Sequence, residues 1–360
     1  MRKGLLAITS VAAAASLTAC GGASLTAGSG GKKPKIGVIL PDSASSARWE
    51  GADRPYLSNA FASAGMDYDI ENAQGNKAKF QSIADQMIAN GVTVLVIANL
   101  DAASGKAVLD EAKAHHVATI DYDRLTLGGS AQFYVSFDNT EVGRLQGEGL
   151  AKCLGDMGAD HPVVAELNGS PTDNNATVFA AGYDNILTPK YDSGDFVKGP
   201  NQWVPNWDNA QAKTIFEKML AAHPDIGGVL AANDGIANSV IQVLRRAHRN
   251  GQVPVTGQDA TVQGLQNILA GDQCMTVYKA VRKEADAAAR LAIDLAKGRG
   301  GQTDTTVHDP VGNRDVPAVL EAPISIFKDN VKQVIDDGYV TAAQLCTGSY
   351  ASLCAKEGIQ

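Results

Sequence analysis

An α/β fold in two lobes, each a parallel sheet flanked by helices, is what this sequence predicts, on three observations. From Lys35 onward, apolar runs of strand length alternate with segments of helix length, the pattern of parallel sheets covered on both faces. At 360 residues the chain has room for two domains of about 100–200 residues each. No stretch reads as a linker between tandem domains, and the one loose segment, Gly298–Asp309, comes too late. Two domains without a linker imply lobes that exchange strands, so that several chain crossings form one hinge.

The chain opens with Arg2 and Lys3, an apolar stretch Leu5–Leu17, and Leu17-Thr18-Ala19-Cys20. This reads as a lipoprotein signal peptide over 1–19, since the apolar run falls short of the ~20 residues a spanning helix needs. Cys20 is the expected lipid attachment point, and residues 20–33, rich in Gly, Ser, Ala and Thr, are a flexible tether. The expected location is extracytoplasmic, anchored by lipid to the outer face of a bacterial cytoplasmic membrane. Removal of the signal takes Arg2 and Lys3 with it and moves the formal charge from −8 to −10.

Ile36–Leu40 is the first strand and leads to Arg48-Trp49. Ala78–Asn90 is a helix, with Phe80, Ile83, Ala84, Met87 and Ile88 on one face. Gly91 closes it, and the unbroken apolar run Val92–Ala98 suits a strand buried on both sides. Val117–Tyr122 ends in Asp123-Arg124, and Val142–Leu154 repeats the helical spacing. Val163–Leu167 runs into Asp173-Asn174-Asn175, followed by helices at Ala176–Leu187 and Ala210–Ala221. Val229–Ala232 ends in Asn233-Asp234 before a helix at Ile236–Ala247. Val253–Gly257 ends in Gln258-Asp259 before Val262–Ala270, and Met275–Tyr278 ends in Lys279 before Lys283–Lys297.

Six of these strands stop at polar or charged residues, and in an open α/β sheet ligands bind beyond the carboxyl ends of the strands. The residue types suit one task. Asp only accepts hydrogen bonds, Arg and Lys only donate, and Asn does both. Asp173, Asn175, Asn233 and Asp259 with Arg48, Arg124 and Lys279 therefore match every hydroxyl of a small polyol ring. Trp49 and Trp203 offer flat apolar surfaces to its C–H faces, while Trp207 is assigned to the core. Asp123 is read as orienting Arg124 or spanning the lobes. Asp101, Asp138 and Asp234 are read as helix caps.

Several function classes are excluded. An acidic body without a basic run argues against nucleic acid. No Cys-x-x-Cys occurs and the six histidines show no ligand spacing, so neither a metal nor a cofactor is expected. Of five cysteines, Cys20 is assigned to lipid. Cys153, Cys274, Cys346 and Cys354 allow three disulfide pairings in an oxidising compartment. The nearness of Cys346 to Cys354 favours a staple of the C-terminal tail, which leaves Cys153 with Cys274.

From Lys35 to about Leu345 the chain resembles the pentose- and hexose-binding lipoproteins of bacterial ABC transporters, most of all their xylose-binding branch. The markers are Ala47-Arg48-Trp49, Tyr122-Asp123-Arg124, Phe137-Asp138-Asn139, and Gly169 to Ala176 (GSPTDNNA). Gln202-Trp203-Val204, Asn233-Asp234, Gly257-Gln258-Asp259-Ala260 and Thr276-Val277-Tyr278-Lys279 follow in the same order. The resemblance implies a two-lobed type I periplasmic binding protein with three hinge crossings, near Asn139, near Ala280 and around Val316–Ala322. The N-terminal lobe is then 34–139 with 280–317, and the C-terminal lobe 140–279 with 318–360. It implies Arg48, Trp49 and Arg124 as ligand contacts from one lobe. Asp173, Asn175, Trp203, Asn233, Asp259 and Lys279 come from the other lobe and the hinge. It further implies a monosaccharide ligand, D-xylose first, ABC permease subunits as partners, and a monomer. One departure is Pro41 to Ala47, a Ser/Ala run where the family is often charged, which points to a broader sugar range.

A sugar oxidoreductase or kinase would need a glycine-rich phosphate loop after a strand, and none is present. A two-lobed transcriptional regulator would begin with a helix-turn-helix where this chain has a signal and tether. A sensory accessory protein that reports sugar occupancy to a membrane receptor is compatible with every feature above.

Overall fold

The structure is a computed structural model and describes residues 34–359; the signal peptide, Cys20 and the tether lie outside the described residues. The first lobe begins with β1 (Lys35–Leu40), α1 (Arg54–Ser63), β2 (Asp67–Asn72), α2 (Lys77–Ala89) and β3 (Val92–Ile97). It continues with α3 (Ala102–Ala114), β4 (Ala118–Tyr122) and β5 (Phe133–Phe137). The chain then builds the second lobe from α4 (Asn139–Asp156), β6 (Val163–Asn168), α5 (Asn174–Asp192), β7 (Val197–Trp203) and α6 (Asn209–Ala222). β8 (Ile226–Ala231), α7 (Asp234–Arg246), α8 (Val262–Ala270) and β9 (Thr276–Tyr278) complete that passage. It returns through α9 (Val281–Ala296), β10 (Thr305–Asp309) and β11 (Arg314–Glu321). It ends with β12 (Ile324–Ile326), α10 (Lys332–Asp336), α11 (Ala342–Leu345) and α12 (Tyr350–Lys356).

The first sheet runs β10-β11-β5-β4-β3-β1-β2, parallel except for the β10/β11 hairpin. Its strands are apolar on both faces because both faces are covered. Val38, Val94, Val96 and Ile120 meet Leu57 and Phe61 of α1 and Leu291 of α9. The alternate residues Ile39, Leu95 and Ile97 meet Phe80, Met87 and Leu109 on the other side. α9 thus returns to the first lobe, as the resemblance implies.

In the second lobe β6 lies between β7 and β8, all parallel. Val255 and then Gln258 carry the sheet across by isolated bridges to β9, which pairs antiparallel with β12. The expected strand Val253–Gly257 is therefore a single bridge to β8 rather than a full ladder, since the Thr256 hydroxyl, not the backbone, bonds the N–H and carbonyl of Ala231. The tail helices cover α8 with Val334, Leu345 and Cys354.

Three segments cross between the lobes: Phe137 to Asn139, Tyr278 to Val281, and Glu321 to Ile324. The third corrects the boundary expected at 317/318. β11 stays in register with β5 as far as Glu321 opposite Phe137, so residues 318–321 remain with the first sheet until Pro323 ends the strand. The disulfides are Cys153–Cys274, joining α4 to the segment entering β9, and Cys346–Cys354 in the tail.

The βα turns share one device. Asn76, Asp101, Asp138, Asp173, Asp208 and Asn233 each accept a backbone N–H from the first turn of the next helix. Helices α4 and α5 cross where both present glycine. A Cβ at Gly143 would lie 2.1 Å from the Phe179 carbonyl oxygen, and one at Gly182 2.4 Å from that of Thr140. Gly143→Ala is accordingly expected to cost about 1–3 kcal/mol or more by overpacking, read as a lower urea midpoint with an unchanged slope.

Candidate functional site

The polar strand ends converge on one small cavity between the lobes. Arg48 and Trp49 follow β1, Arg124 follows β4, Asp173 and Asn175 follow β6, Asn233 follows β8, and Asp259 and Lys279 flank β9; all eight line it. The ninth expected contact, Trp203, does not line the cavity. It ends β7 and is half-buried against the second-lobe core. Trp207 takes that place instead: 6 % exposed, it lines the cavity and donates from Nε1 to Asp173 Oδ2 at 3.0 Å. The turn Pro205–Trp207, which follows the end of β7, and the Asp208 cap of α6 bring the Trp207 ring, not that of Trp203, to the cavity. Gly169 allows this, because a Cβ there would meet the Trp207 ring at 2.0 Å.

Beneath the cavity lies a buried charge network. Arg48 bonds Asp53 through Nε and Nη2 at 2.9 and 2.6 Å, Asp123 through Nη1 at 2.7 Å, and Glu284 on α9. Tyr122 donates to Asp53. These contacts occupy all but one of the five guanidinium N–H groups. Arg48 is thus 3 % exposed and chiefly holds the floor together. Burial pulls its pKa down but is outweighed by Asp53, Glu284 and Asp123, which hold it well above its ordinary value. Burial pushes the Glu284 carboxyl well above the usual range, and Asp53 up as well, against the pull of Arg48. Asp123 goes the other way: burial is outweighed by Arg48, Lys279 and Arg124.

Contacts already cross between the lobes. Arg124 Nε lies 3.1 Å from Asp173 Oδ2, and Asn175 Nδ2 donates to the Asp123 carbonyl at 2.9 Å. Ser46 Oγ donates to Asp259 Oδ2 at 3.0 Å, and Asn233 Nδ2 to the Ser45 carbonyl at 3.3 Å. Asp123 spans the lobes, one of the two roles read from the sequence. Asp259 also meets Lys279 Nζ at 3.1 Å. Trp49 donates to Ser45 Oγ at 3.2 Å and has the Arg48 and Arg124 guanidinium carbons 4.7 and 5.4 Å from its ring centroid. Its ring is engaged by cations as well as facing the cavity.

Two buried side-chain acceptors at this site have no hydrogen-bond partner among the described residues, Asn175 Oδ1 and Gln258 Oε1, while Asp259 Oδ1 faces the Lys279 ammonium at 3.1 Å. Gln258 was not among the expected contacts. Its Nε2 donates to the Ala232 carbonyl at 3.1 Å, which turns Oε1 away; the Gln258-Asp259 strand end was its signal. Asp123, Trp207 and Asp259 have positive φ (62°, 56° and 96°), a conformation costing about 1–2 kcal/mol per residue. Backbone strain of this kind gathers at functional sites.

Asp101 and Asp138 cap helices as expected, but Asp234 does not. Asn233 caps α7, and Asp234 is fully buried, accepting from Thr261 N and Oγ1, Gln273 Nε2 and Thr276 Oγ1. Glycines 257 and 264 leave room for its carboxylate. Burial still pushes it up to about 7. A carboxyl raised on folding contributes most below its unfolded value near 3.9, and that contribution is lost as pH rises through about 7. Asp234→Asn is uncharged throughout. Its stability deficit against wild type is therefore expected to narrow by about 2 kcal/mol between pH 5.5 and pH 8, measured by urea unfolding at both.

The cavity holds about 30 Å³, enough for a water molecule or two. A larger guest enters only as the lobes part. Beyond the cavity walls lie two open clefts, of about 440 Å³ on the Ser46 side and 390 Å³ on the Arg124 side.

Comparison with known proteins decides the family. The periplasmic binding protein domain matches residues 36–300. The chain belongs to the periplasmic binding protein family. The D-xylose-binding periplasmic protein of Escherichia coli K12 is 37% identical over 316 residues, covering 87% of this chain and 93% of that protein. A multiple sugar-binding periplasmic protein of Azospirillum brasilense is 34% identical, covering 87% of this chain and 91% of that one. Among solved structures, an ABC transporter solute binding protein from Clostridium phytofermentans with bound β-D-glucose has a TM-score of 0.81 at 30% identity. It covers 86% of this chain and 99% of that one. The two-lobed α/β architecture with three crossings is thus the fold of this family.

Proposed function

We propose that this protein is an extracytoplasmic solute-binding lipoprotein that captures one monosaccharide, D-xylose first, between its lobes and delivers it to an ABC sugar permease. The observation that carries this reading is the pair of unpartnered buried acceptors, Asn175 Oδ1 and Gln258 Oε1, in one cavity with the Asp259–Lys279 ion pair and the cations Arg48 and Arg124. A pyranose hydroxyl donates to the one and accepts from the other, and bonds to charged partners contribute about 1.5–3 kcal/mol each. Trp49 and Trp207 supply apolar surface for the ring's C–H faces. D-xylose leads because a relative of that name is 37% identical over most of both chains. Relatives named for multiple sugars, at 34% and 32% identity, favour a second reading, a wider aldose range.

The mechanism follows from the hinge. Residues 34–137 with 281–321 and 139–279 with 324–359 move as two bodies about the three crossings. Sugar binds the open form on one lobe, and closure is favoured by the contacts added from the other. The closed shape is what a permease reads. Cys20 holds the carrier at the outer face of the cytoplasmic membrane, as a monomer and without cofactor or catalytic step. A thermal-shift panel tests the proposal. Melting temperature is expected to rise with D-xylose, following RT ln(1 + [L]/Kd), and to be unmoved by nucleotide cofactors. A panel of pentoses and hexoses that leaves it unmoved would refute the proposal.

A further inference from the structure

Strand β3 lies between β1 and β4, and both of these neighbours are followed by residues that line the cavity, whereas β3 is not. The residue just beyond it, Asn99, is nonetheless tied twice to Arg124. Arg124 Nη1 donates to the Asn99 carbonyl and Asn99 Nδ2 to the Arg124 carbonyl, each at 3.0 Å. Asn99 Nδ2 also donates to Thr126 Oγ1 at 2.9 Å. Thr126 in turn gives its hydroxyl to Asp121 Oδ1 at 2.7 Å and its backbone N–H to Oδ2 at 2.8 Å. A carboxylate only accepts, so the hydroxyl proton points to Asp121 and the Thr126 oxygen keeps a lone pair for Asn99. Asn99, Thr126 and Asp121 are all buried, and none of them lines the cavity. Two glycines let the backbone close over them. A Cβ at Gly105 of α3 would lie 2.8 Å from both Asn99 Cβ and Thr126 Oγ1, and one at Gly129 would lie 2.9 Å from Thr126 Cγ2.

We propose that Thr126 and Asn99 are positioning residues for sugar binding: the buried chain Asp121–Thr126–Asn99 clasps Arg124 by its backbone and its guanidinium, so that it meets the ligand already oriented. The inference rests on the monosaccharide reading above and deepens it. Arg124 also pairs with Asp173 across the lobes, a contact that is lost when the lobes part. Asn99, Thr126 and Asp121 all belong to the first lobe, so the clasp survives opening. An unrestrained arginine gives up side-chain freedom when it meets a ligand. One held beforehand has less to lose, and binding is strengthened without any added contact.

Calorimetric titration of the full-length mature chain with D-xylose tests this. Burial pushes the Asp121 carboxyl up to about 7, so the titration is run at pH 8, where it is largely ionised. Thr126→Val keeps the methyl group that packs on Gly105 and Gly129 and removes the hydroxyl. Its Kd is expected to rise about fivefold or more. Thr126→Ser keeps the hydroxyl and removes the methyl, and its Kd is expected to stay within twofold of wild type. Asn99→Ala leaves both Thr126–Asp121 bonds whole and is expected to match Thr126→Val. The double variant is expected to bind no more weakly than either single one, because links of one chain do not add. The inference is overturned if Thr126→Val moves the Kd less than twofold, if Thr126→Ser weakens binding as much as Thr126→Val, or if the two single effects add in full. Absence of D-xylose binding in wild type instead defeats the D-xylose reading on which the inference rests.

Discussion

Asp259→Asn is expected to weaken D-xylose binding by about thirtyfold or more. Three features of Asp259 converge on that result. It is 6 % exposed, faces Lys279 at 3.1 Å, and takes the Ser46 hydroxyl from the other lobe. A neutral amide keeps the shape but leaves Lys279 buried beside no carboxylate. A sugar hydroxyl bonded to a charged carboxylate contributes about 1.5–3 kcal/mol. Asn also tolerates the positive φ of 96° at this position, so the backbone there is not strained further. Calorimetric titration reads the loss directly, and a Kd within twofold of wild type would remove Asp259 from the site.

Arg48→Met is expected to act on stability first. It strands the Asp53, Asp123 and Glu284 carboxylates, of which Asp53 and Glu284 are completely buried. Breaking a buried pair by removing one partner costs about 3–5 kcal/mol, a large share of the 5–15 kcal/mol that holds a domain folded. Glu284→Gln is the matching control. Glu284 Oε1 has no partner among the described residues, and burial already holds the carboxyl well above its usual range. A neutral amide replaces a group that folds most favourably when protonated. Because the folded pKa is raised, the contribution of Glu284 is complete below the ordinary carboxylate range and is lost as pH rises through the folded value. Glu284→Gln should therefore match wild type near pH 5 and gain on it toward pH 9 in urea unfolding. An Arg48→Met protein as stable as wild type would contradict the floor role of Arg48.

The legible parts of this fold were those whose pattern is local. The helix over Lys77–Ala89 and the strand Val92–Ile97 were readable to within a residue or two, because an apolar stripe and an unbroken apolar run each encode their own burial. Polar strand ends brought eight of nine named residues to one cavity, since chain direction fixes where the carboxyl end of a parallel strand points. What was not legible depends on distant partners. Trp203 and Trp207 are four residues apart, and only the left-handed turn at Asn206 and Trp207, with Gly169 beneath the ring, decides which faces inward. Asp234 reads locally as a cap, yet its four hydrogen bonds come from Thr261, Gln273 and Thr276. The third crossing fell within the expected Val316–Ala322, but the lobe boundary at 317/318 was four residues early, because the pairing of β11 with β5 is invisible until both strands are placed.

A crystal structure of the protein grown with D-xylose tests the central claim most directly. It is expected to show one pyranose between the lobes, its hydroxyls bonded to Asn175 Oδ1, Gln258 Oε1 and Asp259 and its C–H face against Trp207. A sugar held on one lobe's outer surface, with Asp173 and Asp259 still facing each other across an unchanged cavity, would contradict it.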